Sequence, residues 1–198
     1  MPSIIDPRAH QLKVRRFGHP TKGAAQSEIA HLRAVCDENF GATWDSVLSA
    51  LKGVSANEAA FQHPCYAMVP ADANMPPAGS ILWQMAHLSV CKQMYARILQ
   101  ESLGLQVPEP VEPKRHTAAI LLHELRIAHS RLRSTIAALR DEDLSRMLPE
   151  STGYPGRVDA FIRTVNRHDS WHAGQIALAR RLYKNPGVQK RASLGGNA

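Results

Sequence analysis

The feature that most constrains the fold is a proline-free run from residue 157 to residue 183, which is long enough for about seven turns of helix. Mostly apolar residues recur in it at alternating spacings of three and four, the pattern of a helix that turns one side toward its neighbours in a bundle. This stripe consists of Val158, Phe161, Val165, His168, His172, Gln175, Ala179 and Leu182. The run therefore predicts a long helix packed against other helices.

His168 and His172 interrupt this stripe at positions where apolar side chains are expected. Residues four apart lie one turn above each other, with Cβ atoms about 5–6 Å apart, so both imidazoles can approach one point. Burying a neutral imidazole without a partner costs on the order of 1–3 kcal/mol. The spacing alone leaves two interpretations open, a divalent metal ion held by both rings or a hydrogen-bonded pair in the core.

Three further segments have helical periodicity, and together they predict an all-α protein, a four-helix bundle. We expect the first three helices at residues 27 to 53, 79 to 100 and 117 to 139. The proline-rich connection from 54 to 77 contains a candidate helical turn at 56 to 61 and would cap one end of the bundle. Neither an alternating strand pattern nor a repeat competes with this assignment.

The charge is distributed unevenly along the chain. The net charge is +7, but residues 28 to 183 contain equal numbers of basic and acidic residues. We therefore expect one bundle domain at 27–184, preceded by a polar, basic arm at 1–26 and followed by a flexible tail at 185–198. A neutral body disfavours binding to nucleic acid.

Two further absences bear on location. Membrane-spanning helices need about 20 apolar residues, and no run in this sequence approaches that length. The N-terminus also lacks a charged start followed by a hydrophobic stretch. We expect a cytoplasmic protein that makes no contact with a membrane.

Two phrases in the chain carry a family resemblance. The first is Ser80-Ile81-Leu82-Trp83-Gln84-Met85-Ala86-His87-Leu88, and the second is His168-Asp169-Ser170-Trp171-His172-Ala173-Gly174-Gln175. Together they resemble the DinB-like (YfiT-like) superfamily, over roughly residues 27 to 184. The resemblance implies an up-down-down-up bundle in which one histidine of helix two and two of helix four bind a divalent metal at one end. The ligands that it implies here are His87, His168 and His172.

Three imidazole donors leave at least one coordination position for water or a substrate, as in catalytic zinc sites. Nitrogen ligands suit zinc or nickel, and also cobalt or iron. The resemblance implies a metal-dependent enzyme, with low-molecular-weight-thiol transfer as the leading hypothesis. A metal-dependent hydrolase and a non-enzymatic, metal-binding or stress-associated bundle are the alternatives. We expect a small-molecule substrate, and a homodimer stays open.

Four residues of the two phrases have two interpretations each. Gln175 would hydrogen-bond a ligand or make a polar contact between helices. Trp83 and Trp171 could wall the site, although aromatic residues at helical spacing favour the core. Asp169 lies about 100° around the helix from His168, which favours a position facing solvent or bracing a neighbour.

The remaining candidates have mainly structural interpretations. In the first long connection His63, Cys65 and Tyr66 could overhang the metal, but such residues are usually just exposed. Three cysteines without a close pair favour reduced thiols, with Cys36 and Cys91 in the core. The sequence predicts structural or surface positions for His116, His123 and His129, and a solvated face, rather than a guide for an anionic thiol, for Arg163 and Arg167.

Overall fold

The structure is a computed structural model, and it describes residues 27–63, 66, 75–105 and 116–185. These residues are helical and contain no strand, which confirms the predicted all-α class. The helices are α1 (Glu28–Asp37), α2 (Val47–Leu51), α3 (Ala56–Ala60), α4 (Ile81–Ser102), α5 (Ala118–Ala138) and α6 (Val158–Lys184). A π turn at Glu38–Ala42 continues α1, and two 3₁₀ turns, Asp141–Ser145 and Glu150–Thr152, precede α6. The predicted arm at 1–26 lies outside the described residues, as does the tail beyond Asn185.

Helices α1 and α6 run in the same direction. Near the start of both, Arg163 donates a hydrogen bond to Glu28 at 2.5 Å. About one turn further along, the Asn166 side chain donates to the backbone carbonyl of Leu32 at 3.3 Å. Successive turns of α6 therefore meet successive turns of α1.

Helix α4 runs opposite to α6. Tyr95, in the second half of α4, packs against Phe161 near the start of α6, with ring centroids 5.6 Å apart. Earlier in α4, His87 meets His172 further along α6. Later residues of α4 therefore meet earlier residues of α6, as in an antiparallel pair of helices.

Helix α5 runs opposite to α1. Arg133, in the second half of α5, donates to Asp37 at the end of α1. Asp141, just beyond α5, accepts hydrogen bonds from the backbone N–H groups of Glu28 and Ile29 at the start of α1. The four longest helices, α1, α4, α5 and α6, thus run up, down, down and up, as the resemblance implied.

The buried apolar side chains form two clusters, one in each half of the bundle. The cluster around the start of α4 includes Ile81, Met85, Leu88, Leu121, Leu125 and Ile176. The other includes Leu32, Leu99, Leu132, Ile136, Ile162 and Val165. At about 1.5–3 kcal/mol for each large aliphatic side chain, this burial is the main favourable contribution to folding. None of the described helices is both long and apolar enough to cross a membrane.

The prediction of one unbroken helix from 27 to 53 is wrong. The chain leaves the helix after the π turn, and Thr43 is extended, with φ −115° and ψ 165°. The Thr43 hydroxyl donates to the Asp45 carboxylate at 2.6 Å, a local bond that competes with helix formation. Ser46 then caps α2. The other three predicted helices match α4, α5 and α6 to within two residues at each end, and α3 is the predicted turn at 56 to 61.

Candidate metal centre

Helices α4 and α6 bring three histidine rings together. The ring centroid of His87 lies 5.4 Å from that of His168 and 4.9 Å from that of His172. The rings of His168 and His172 are 4.4 Å apart. All three residues that the sequence singled out are thus in one place, although their role as metal ligands stays a prediction.

Gln84 fixes the protonation of the His172 ring. Nδ1 of His172 lies within hydrogen-bond distance of the amide oxygen of Gln84. Because that oxygen can only accept, Nδ1 carries the proton and Nε2 keeps a free lone pair. Histidines that bind metals usually donate their second N–H in this way, to an oxygen acceptor. The neutral ring therefore presents the nitrogen that a metal would need.

The protein alone does not satisfy all the ring nitrogens. Nε2 of His172 lies 3.0 Å from Nε2 of His168, where only one of the two can donate. Nδ1 of His168 is buried and has no hydrogen-bond partner among the described residues. A group of imidazoles with spare lone pairs and an orphaned nitrogen fits a bound cation better than it fits a self-contained core pair.

Burial keeps these rings neutral. Together with the smaller effect of the neighbouring rings, it lowers the pKa of His168 to about 4 and that of His172 to about 3. Burial also lowers the pKa of His87. Neutral imidazole is the form that binds metal ions, so near neutral pH protons compete little for the site.

Cys91 adds a sulfur atom to the group. It lies one turn after His87 on α4, and its Sγ is 3.5 Å from Nε2 of His87. His87, Cys91 and His168 each have a potential ligand atom within 4.8 Å of the others. The prediction that Cys91 is buried is confirmed, but its position at the site was missed. This mixed nitrogen and sulfur set suits a borderline or soft divalent ion.

A cavity of about 420 Å³ opens beside the rings. Trp83 lines it and stacks on His87, with centroids 4.8 Å apart and planes 7° apart. Trp171 also lines it and is 68% exposed. The prediction that aromatic spacing puts these tryptophans in the core is therefore wrong, because both line this open cavity instead. Gln175 lines the same cavity.

Asp169 is buried rather than exposed, which leaves only the alternative that it braces a neighbour. It is 2% exposed, and its carboxylate lies 2.5 Å from the ammonium nitrogen of Lys92. Burial raises the pKa of Asp169, and the Lys92 charge opposes that rise. Each charge compensates the other where water is excluded. Sequence reasoning missed Lys92, although its position four residues after Leu88 and four before Ala96 marks it as inward-facing.

The candidates of the first long connection lie around the cavity as far as they are described. Tyr66 lines it, and His63 lines an adjoining cavity of about 40 Å³. Cys65 lies outside the described residues.

Candidates with a structural interpretation lie away from the cavity. His129 is buried, stacks on Phe40 at 3.8 Å between centroids and contacts Asp37. His123 is exposed and His116 half-buried.

Arg163 pairs with Glu28 and Arg167 donates to Thr164, while Cys36 is buried in the core. The structural and surface interpretations agree with these positions.

Comparison with known proteins places the chain in a family. Neither the curated proteins nor the solved structures contain a significant match to it. A family model described as the DinB superfamily matches residues 39–176. That range includes the three histidines and Cys91, and it covers more than half of the sequence. The helical bundle and the matched range together identify this chain as a member of the DinB superfamily.

Proposed function

We propose that this protein is a divalent-metal-dependent enzyme that transfers a low-molecular-weight thiol to a small electrophilic molecule. The observation that carries the proposal is the convergence of three neutral imidazoles, from two helices, at the wall of a cavity large enough for a small ligand. His87, His168 and His172 would hold the ion, with zinc or nickel as the metal. When bound, such an ion lowers the pKa of a thiol or water beside it.

The protein orients the histidine rings that would bind the ion. Gln84 keeps the proton of His172 on Nδ1 and so directs Nε2 toward the other rings. Stacking on Trp83 restricts rotation of the His87 ring. Ligands that are held in place before the ion arrives lose little conformational entropy on binding it.

The cavity wall supports a substrate without a strong charge. Among its described lining residues, none is lysine, arginine, aspartate or glutamate. Trp83, Trp171 and Tyr66 offer flat apolar surface, whereas Gln84 and Gln175 offer amide groups for hydrogen bonds. This composition favours a small, uncharged, partly apolar electrophile over a phosphate or a polyanion.

Elemental analysis of the purified protein tests the metal part of the proposal. We expect about one equivalent of zinc or nickel in the wild type, as for a mononuclear site. His87→Ala should lose it, whereas His123→Ala, at an exposed position of α5, should keep it. Equal metal content in the wild type and His87→Ala would contradict a ligand role for His87.

Loss of free thiol tests the reaction. The metal-loaded protein is incubated with glutathione and a panel of uncharged electrophiles, and remaining thiol is titrated over time. We expect faster thiol loss with the wild type than with His87→Ala or chelator-treated protein. Equal rates for all three samples, with the wild type shown to carry metal, would leave the site as a metal-binding centre without this activity.

A further inference from the structure

We propose that Cys91 is a fourth protein ligand of the metal centre. The proposal rests on the three-histidine site proposed above and adds a sulfur donor to it. The donor set then becomes two pairs on facing helices, His87 with Cys91 on α4 and His168 with His172 on α6.

The distances within each pair support this arrangement. Residues four apart on a helix point their side chains to the same side. A tetrahedral ion with nitrogen at about 2.1 Å and sulfur at about 2.3 Å separates a nitrogen and a sulfur donor by about 3.6 Å and two nitrogens by about 3.4 Å. The structure has 3.5 Å between Sγ of Cys91 and Nε2 of His87, and 3.0 Å between the Nε2 atoms of His168 and His172.

The α4 pair also approaches His168 across the helix interface. Potential ligand atoms of His87, Cys91 and His168 all lie within 4.8 Å of one another, so the α4 pair and the first residue of the α6 pair form one group. Cys36 is buried too, but among the described residues it belongs to no such group. The position of Cys91 is thus distinct from that of an ordinary core cysteine.

Ligation by Cys91 would fill the fourth coordination position of the ion before a substrate arrives. On binding, Cys91 gives its S–H proton to solvent, and sulfur and ion share the electron pair without any oxidation or reduction. The Cys91 sulfur then occupies the position that a thiol substrate would take. The two sulfurs compete for it, so an external thiol should bind more readily once Cys91 is removed.

Absorption spectra of the cobalt(II)-loaded protein test the proposal. Thiolate ligands to cobalt(II) give an intense near-ultraviolet charge-transfer absorption, whereas nitrogen ligands give only the weak visible bands. The chain has three cysteines, so the reference is a Cys36→Ser/Cys65→Ser variant in which Cys91 is the remaining thiol. We expect this reference to keep the near-ultraviolet absorption. Adding Cys91→Ser should abolish it and leave the visible bands.

The outcomes separate this proposal from the proposed function. Visible bands without charge-transfer absorption in the wild type would overturn Cys91 ligation and leave the three-histidine site intact. Failure of the wild type to bind cobalt would overturn both. Circular dichroism of each variant checks that the helices persist, and Cys91→Ala should repeat the result for Cys91→Ser. In the cysteine-free variant, 2-mercaptoethanol should restore the charge-transfer absorption, and its failure to do so would overturn the competition between sulfurs.

Discussion

The ammonium nitrogen of Lys92 lies 2.5 Å from a carboxylate oxygen of Asp169, and both side chains are almost fully buried between α4 and α6. Lys92 follows Cys91 directly, and Asp169 follows His168. One ion pair therefore aligns the two helices beside the residues proposed to bind metal. Any slip of α6 along α4 would separate the buried charges and misplace the rings together.

Removing either charge should destabilise the protein strongly. We expect Lys92→Met or Asp169→Leu to lower the free energy of unfolding by about 3–5 kcal/mol, because the remaining charge is buried without a partner. The double variant should recover most of that loss, since neither charge remains. Urea unfolding followed by circular dichroism measures all four proteins. Purely additive losses would show that the two side chains do not act as a pair.

Gln84→Leu should weaken metal binding without unfolding the protein. The leucine side chain cannot accept the Nδ1 proton of His172, so the ring loses the contact that fixes its protonation. Loss of such a partner typically costs 10–100-fold in metal affinity, and we expect about that range here. Gln93→Leu, on the same helix but outside the cavity lining, is the control. Chelator competition measures both affinities, and equal values would contradict the role given to Gln84.

His129 should make stability depend on pH. Burial lowers its pKa to about 4, and the charge of Lys92 adds to the effect while Asp37 opposes it. The unfolded chain, with a pKa of about 6.5, binds a proton that the folded chain excludes. This contribution to stability, up to about 3 kcal/mol, is therefore complete above pH ~6.5 and is lost as the pH falls toward ~4.

Comparing the metal-free wild type with metal-free His129→Gln isolates the contribution of His129, because the other buried histidines are present in both proteins. We expect a smaller drop in unfolding free energy between pH 7 and 4.5 for His129→Gln. His123→Gln, at an exposed position of the same helix, should retain the wild-type dependence. Parallel curves for wild type and His129→Gln would rule out His129 as the source.

Two glycines allow a test of the cavity wall. Gly79 and Gly53 both have positive φ, of 74° and 70°. A Cβ at position 79 would overlap the Tyr66 ring, whereas one at position 53 would meet nothing within 4 Å. Both alanine variants should lose about 1–2 kcal/mol from the left-handed backbone. Gly79→Ala should lose more, as measured by urea unfolding, and equal losses would mean that the ring moves aside freely.

Much of the fold could be predicted because helical periodicity is local. The runs that form α4, α5 and α6 are each visible within one segment, as is the histidine pair of α6. The break after the π turn was missed because the apolar stripe through Phe40 and Val47 continues across it. Thr43, Asp45 and Ser46 carried the opposing signal, since such residues favour turns and caps over helix interiors.

The environment of the site depends on contacts between distant segments, and that part could not be predicted. Nothing near Asp169 in the sequence announces that Lys92 will lie against it. Trp171 has the large aromatic side chain expected of a core residue, but its exposure depends on which side of α6 remains uncovered. Cys91 has the same local pattern whether it packs in the core or borders the histidines.

The alignment imposed by Lys92 and Asp169 has a consequence for how the proposed metal ion would enter the protein. Their attraction needs no metal ion, so we expect the folded bundle to hold the rings of His168 and His172 close together with or without a bound metal. Metal loading would then require side-chain adjustment instead of refolding, and a folded molecule should be able to exchange one cation for another.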